Sequence, residues 1–122
     1  MAISKKYTAK FTYDFGVDLG TVAVLTPAIN ERIPVGAIVT NLMADERTAF
    51  TSGGSATVLL SSGAIALTGA IAFDSGFTGT NSLALASSAT GIKITTSADF
   101  TVTVGTAALT AGVVDFYVEY IF

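Results

Sequence analysis

The chain has no cysteine and no histidine, only two prolines, and few charges, with Asp, Glu, Lys and Arg together making up 12% of its 122 residues. Each shortage excludes something. Without cysteine there is neither a disulfide framework nor thiolate chemistry, and the redox compartment stays open. Without histidine the commonest general base and the commonest metal ligand are missing together, and the usual Ser-His nucleophile cannot form. An ordinary soluble domain is about 25% charged, so this chain has roughly half the usual density. Its mean hydropathy of +0.66 would suit a membrane protein, but no stretch supports a helical span. The longest uncharged segment, Thr48 to Phe73, is broken by Gly, Ser and Thr and never supplies the ~20 strongly apolar residues a helix needs. A membrane β-barrel signals itself only weakly. Lys5 and Lys6 are followed by a polar strand instead of an apolar run, so no secretory leader and no membrane partner are expected. A net charge of −3 argues against a nucleic-acid partner, which would call for a basic face.

What the chain has is strands. At Phe100–Val104, apolar Phe100, Val102 and Val104 alternate with Thr101 and Thr103. At Val114–Ile121, Val114, Phe116, Val118 and Tyr120 alternate with Asp115, Tyr117, Glu119 and Ile121. This period of two describes half-buried antiparallel strands with the acids facing out. A short connection joins the pair, and Gly112 supplies its backbone freedom. Tyr7, Ala9, Phe11, Tyr13 and Phe15 form a similar apolar row, opposite Thr8, Lys10, Thr12 and Asp14. Further strands are expected at Thr21–Leu25, Val35–Ala44, Ser55–Leu60, Ala64–Phe73 and Ile92–Thr96, with a short apolar piece at Leu83–Ala86 and one helical turn in the 80s. Turns fall at Gly16–Gly20, Thr51–Gly54 and Ser61–Gly63, loops at Ala28–Pro34 and Asp74–Ser82, and Gly69 marks a bulge or bend. Roughly eight to nine short strands with turns every 8–12 residues indicate an all-β fold, an antiparallel β-sandwich or jelly-roll-like domain spanning residues 1–122.

Candidate chemistry is sparse. Asp45, Glu46 and Arg47 cluster charge at the expected strand end, where a solvated rim explains them, because adjacent carboxylates on a strand point to opposite faces. The Gly-rich turn at Thr51–Gly54 lacks the lysine and helix of a phosphate loop, and Asp74–Ser82 lacks the further acids of a calcium loop. Asp115 and Glu119 read as solubility charges or inter-subunit partners, not as a glycosidase pair in a cleft. No catalytic, metal or cofactor residue is assigned. The bare surface instead suggests burial against other chains, since large uncharged surfaces mark interfaces.

Three stretches carry a resemblance: YTAKFTYDFGVDLGTVAVL, IPVGAIVTNLMADERTAFTSGGSATVLL and ADFTVTVGTAALTAGVVDFYVEYIF, in that order. Together they resemble the small virion structural proteins of tailed bacteriophages, of the capsid-decoration or head-fibre type. Ala64–Gly91 contributes little to the likeness. The resemblance implies a non-enzymatic β-sandwich, a homotrimer, bound to the major capsid protein or other virion proteins at the capsid surface and made in the host cytoplasm. Symmetric closure would also hide strand edges. The first and last strands are then the ones expected to meet across subunits or the capsid, with Lys5, Lys6, Tyr7, Lys10, Asp115, Tyr117 and Glu119 as interface residues. The alternatives are a tail or fibre module that recognises a host glycan through Asp74–Ser82, with Phe77 as a contact, and a ring-forming tail-tube or connector component.

Overall fold

A computed structural model describes residues 5–77, 79–86 and 91–122. Two antiparallel sheets face each other across one apolar cluster, forming a β-sandwich. The larger sheet has the order β3 (Ile29–Asn30), β1 (Lys6–Asp14), β11 (Leu109–Ile121), β4 (Ile38–Ser52) and β8 (Thr80–Ser82), with β9 (Ile92–Lys93) also paired to β4. In the smaller sheet the order is β2 (Val24–Leu25), β10 (Phe100–Gly105), β5 (Thr57–Ser62) and β6 (Ile65–Ala66), and β7 (Ile71–Ala72) pairs with the other end of β5.

The alternating residues decide which face is buried. Ala9, Phe11 and Tyr13 of β1 point inward with Val114, Phe116 and Val118 of β11, and from the other sheet Val58, Leu60, Phe100, Val102 and Val104 meet them. Phe11 stacks on Phe116 in its own sheet, with ring centroids 4.8 Å apart, and on Phe100 across the sandwich at 4.5 Å. Tyr13, Phe50 and Phe77 extend the aromatic cluster toward the β4 side. Tyr13 is fully buried and its hydroxyl donates to the Leu19 carbonyl. Burial, and after it the nearby Asp18 and Asp14 carboxylates, push its pKa up to about 12.

Several expected elements differ in ways the packing explains. The short connection of the C-terminal pair leads from one sheet to the other: β10 lies in the smaller sheet and β11 in the larger. The chain crosses between layers at Gly105–Ala107, where Thr106 takes a positive φ of 68°. Gly112 lies inside β11, not in the connection, at φ 144° and next to a register shift. The turn at Gly16–Gly20 begins as α1 (Phe15–Asp18), capped by Asp14, whose carboxylate accepts from Gly16 N. Phe15 therefore leaves the β1 row. Asn30 of the expected Ala28–Pro34 loop belongs to β3.

The strand expected at Ala64–Phe73 breaks into β6 and β7. Between them Thr68 is buried, and its hydroxyl accepts from Leu60 N, standing in for the missing ladder partner. Leu83–Ala86 forms no strand and no helical turn, although Leu83 N donates to the Leu42 carbonyl. The rest of the turn expected in the 80s lies outside the described residues. Eleven strands are seen among the described residues, more than expected because the two-residue bridges are too short to show a period.

Gly112 supplies the sharpest stability test. An added Cβ there would lie 2.6 Å from Cδ1 of Phe50 and require a left-handed backbone. Gly112→Ala should lower the urea midpoint, at a cost of about 2–4 kcal/mol from strain and overpacking combined. Gly53→Ala, at a position with open space and no positive φ, should change it little.

Candidate interaction surface

The outward face of the larger sheet carries most of the residues singled out from sequence. In the antiparallel register of β1 and β11, Thr8 lies opposite Glu119, Lys10 opposite Tyr117 and Thr12 opposite Asp115. Lys6 and Glu119 form an exposed ion pair at 3.2 Å, and Lys10 Nζ sits 5.6 Å from the Tyr117 ring centroid. Tyr7 belongs to the inward row, yet its ring stacks on Tyr120 at the end of the sandwich and is partly exposed. Lys5 is exposed, and its backbone exchanges two hydrogen bonds with Phe122. The first and last strands therefore meet within the chain, and their opposite charges pair with one another.

Asp115 corrects the reading of outward solubility charges, since it is only 5% exposed. Thr12 Oγ1 donates to its Oδ1 at 2.7 Å, and Arg47 grips both oxygens, Nη2 at 3.1 Å and Nε at 2.9 Å. Lys10 Nζ is 3.8 Å away. A bidentate guanidinium and a short hydroxyl bond are the strong form of carboxylate recognition. The two cations keep much of their side chains in water while the carboxylate is covered.

This arrangement also explains β4. Asp45, Glu46 and Arg47 lie in the middle of a 15-residue strand, not at its end. Asp45 is directly opposite Asp115, a like-charge pair that would be unfavourable by itself. Arg47 and Lys10 offset it, and the Thr80 hydroxyl donates to Asp45 at 3.2 Å. Burial alone would raise the Asp115 pKa, but the Thr12 hydroxyl, Arg47 and Lys10 hold it below its ordinary 3.8.

Asp74–Ser82 is not a simple exposed loop. Its end forms β8 against Met43–Asp45. Phe77 is 2% exposed, edge-on to Phe50 at 5.0 Å and to Phe116 at 6.2 Å. It is a core residue and cannot present a ring to a glycan. Beside it lies an apolar depression of about 350 Å³ lined by Gly69, Ile71, Gly76 and Leu83, and a second, of about 310 Å³, has Asp74 as its only ionisable lining group. Among the described residues no three metal-ligating side chains cluster, and no helix is long and apolar enough to cross a membrane.

Sequence reasoning overlooked the outer face of the smaller sheet. Charged residues in strands all belong to the larger sheet, while β2, β5, β6, β7 and β10 carry none. The signal was present in TVLLSS and FTVTVG, but pairing those segments required the fold.

No family model and no curated protein matches the sequence. The fold is nevertheless found in solved structures of phage capsids. The chain is similar to one in the capsid asymmetric unit of cyanophage Pam1, with a TM-score of 0.63 and 17% identity, over 98% of this chain and 86% of that one. It is also similar to one in the acid-stable capsid of Helicobacter pylori bacteriophage KHP30, with a TM-score of 0.60 and 14% identity, over 98% and 94%.

Two tests follow from the Asp115 cluster. A carboxylate with a lowered folded pKa adds stability that is present above its ordinary 3.8 and is lost as pH falls through the folded value. Urea midpoints measured from pH 7 to pH 2 should therefore drop in acid, and Asp115→Asn should flatten that drop. Arg47→Ala should cost about 1–3 kcal/mol at pH 7, because it leaves a buried carboxylate short of its main donor.

Proposed function

We propose that the protein is a non-enzymatic structural component of a tailed-phage virion, a homotrimeric decoration protein bound to the capsid surface and made in the host cytoplasm. The observation that carries this reading is the similarity of nearly the whole chain to chains from two different phage capsids. The small size and the charge-poor strands agree with it. A two-layer sandwich suits a part that caps a lattice, because it presents two broad faces.

On this reading the outer face of β1 and β11 meets the major capsid protein or a neighbouring virion protein. Lys5, Lys6, Tyr7, Lys10, Tyr117 and Glu119 supply the contacts, and Asp115 holds the strands that present them. Among the described residues Lys5 makes no side-chain ion pair, and the exposed Lys6 pairs with Glu119. Both are therefore free to exchange partners at little cost. The alternative of a glycan-binding fibre module loses its named anchor, because Phe77 is in the core.

Purified protein mixed with assembled capsids lacking it should co-sediment with them and saturate at a fixed ratio per capsid. Protein that stays in the supernatant at every concentration overturns the proposal. The triple variant Lys5→Glu, Lys6→Glu, Lys10→Glu should bind at least about tenfold more weakly. Unchanged binding would remove the lysines from the contact and leave the capsid role standing.

A further inference from the structure

The two faces of the sandwich are chemically unlike. On the larger sheet the outward positions carry Lys6 paired with Glu119, Lys10 and Arg47 paired with Asp115, and Asp45 opposite Asp115. On the smaller sheet the outward row runs Leu59, Thr103 and Val24 across three adjacent strands. Parallel to it, Ala72, Thr57 and Gly105 form a second row. These side chains are small or apolar and none is ionisable. Val24 is 63% exposed, Ala72 is exposed, and Leu59, Thr57 and Thr103 are half-buried, while in the third outward row Ala66 is exposed and Ser61 and Thr101 are buried.

From this we infer that copies of the chain associate with one another through the outer face of the smaller sheet, the uncharged rows turned toward the shared axis. The inference deepens the proposed self-assembly by assigning it a surface. Charge decides the occupant. A partner that brought a charged side chain to the row of Leu59, Thr103 and Val24 would bury it with no counter-charge to receive it, which is strongly unfavourable. Beside the second row Asp74 shares a depression with Thr57 and Ala72, so the exclusion rests on the first row. The larger sheet's own outer face is excluded as the docking partner for the same reason. The corresponding face of another copy brings only hydroxyls, methyl groups and backbone, and is present wherever the protein is. Flat, uncharged sheet surfaces pack closely once side chains are this small. The larger sheet, with its charges, is left for a different neighbour.

The structure supplies a matched pair of residues for the test. Val24 in β2 and Ile29 in β3 are exposed aliphatic residues at two-residue edge strands, one in each sheet, 63% and 59% exposed. Val24→Lys and Ile29→Lys, with Thr103→Lys as a second variant on the inferred face, are compared with wild type by light scattering after size exclusion. Circular dichroism reports whether each is folded. Wild type and Ile29→Lys should have the same mass, a multiple of the 12.4 kDa chain. Folded Val24→Lys and Thr103→Lys should dissociate to 12.4 kDa, their association weakened by at least about tenfold. Should Thr103→Lys fail to fold, Val24→Lys, at an exposed edge, still decides the matter. The inference is overturned if Val24→Lys keeps the wild-type mass, or if Ile29→Lys dissociates to the same extent. An assembled wild type with an assembled Val24→Lys removes this surface and leaves the homotrimer standing. A monomeric wild type removes both, while co-sedimentation with capsids judges the virion role independently.

Discussion

The ring of Phe11, held between Phe116 beside it and Phe100 opposite, is the contact on which the arrangement depends. It ties the two sheets together at their centre and also fixes which way β1 faces. A slip of one residue would bring Lys10 into the core and put Phe11 in water. With Phe11 in place, Lys10 and Thr12 must point outward, and they arrive over Asp115 on the neighbouring strand. The charge cluster on the outer face is therefore positioned by the aromatic packing on the inner one. A buried carboxylate adds little stability by itself. Its consequence here is directional, since Arg47 and Lys10 reach it only when β4 and β1 hold their observed registers.

Much of the fold was legible in the sequence. The rows Tyr7, Ala9, Phe11, Tyr13, Phe15 and Val114, Phe116, Val118, Tyr120 stand out because bulky and polar groups alternate without interruption. Ala9 to Tyr13 and Val114 to Val118 are buried as read, whereas Tyr7 is exposed, Tyr120 is half-buried and Phe15 turns into α1. What escaped the sequence depends on partners distant along the chain. Asp45–Arg47 resembles a solvated rim until Asp115, 68 residues beyond Arg47, is placed against it. Phe77, in a segment rich in Gly, Ser and Thr, resembles a loop aromatic until Phe50 and Phe116 close around it. Thr68 breaks an apolar run by supplying a side-chain bond where a ladder bond should be, an event with no local period. The short step from β10 to β11 gave no sign that the two strands belong to different layers, where β10 pairs with β5 and β11 with β1 and β4. Of the residues chosen as an interface on β1 and β11, Lys6, Lys10, Asp115, Tyr117 and Glu119 share one face, and Tyr7 lies in the inward row. That they converge on each other within one chain could not be read from spacing.

The low charge of the chain acquires a geometric meaning once the sheets are known. It is not spread evenly but confined in the strands to one layer, where cations and anions interleave. The outer face of the other layer is left with threonine, serine and alanine beside Leu59 and Val24. Such a division keeps one face tolerant of water and salt while the other depends on small-residue packing. In this way a chain with half the usual density of ionic groups can present two surfaces of different chemistry.

The position of β11 also constrains how the molecule is made. It follows every other strand in chain order, yet it occupies the middle of the larger sheet, between β1 and β4. A chain emerging from the ribosome carries β1 and β4 long before the strand that must separate them. Until β11 arrives, two ladders stay open along most of their length, and premature pairing of β1 with β4 would have to be undone. Folding of the larger sheet is thus deferred until β11 has been synthesised and joins positions more than a hundred residues apart, such as Thr12 and Asp115. So non-local a closure implies slow folding for so small a domain.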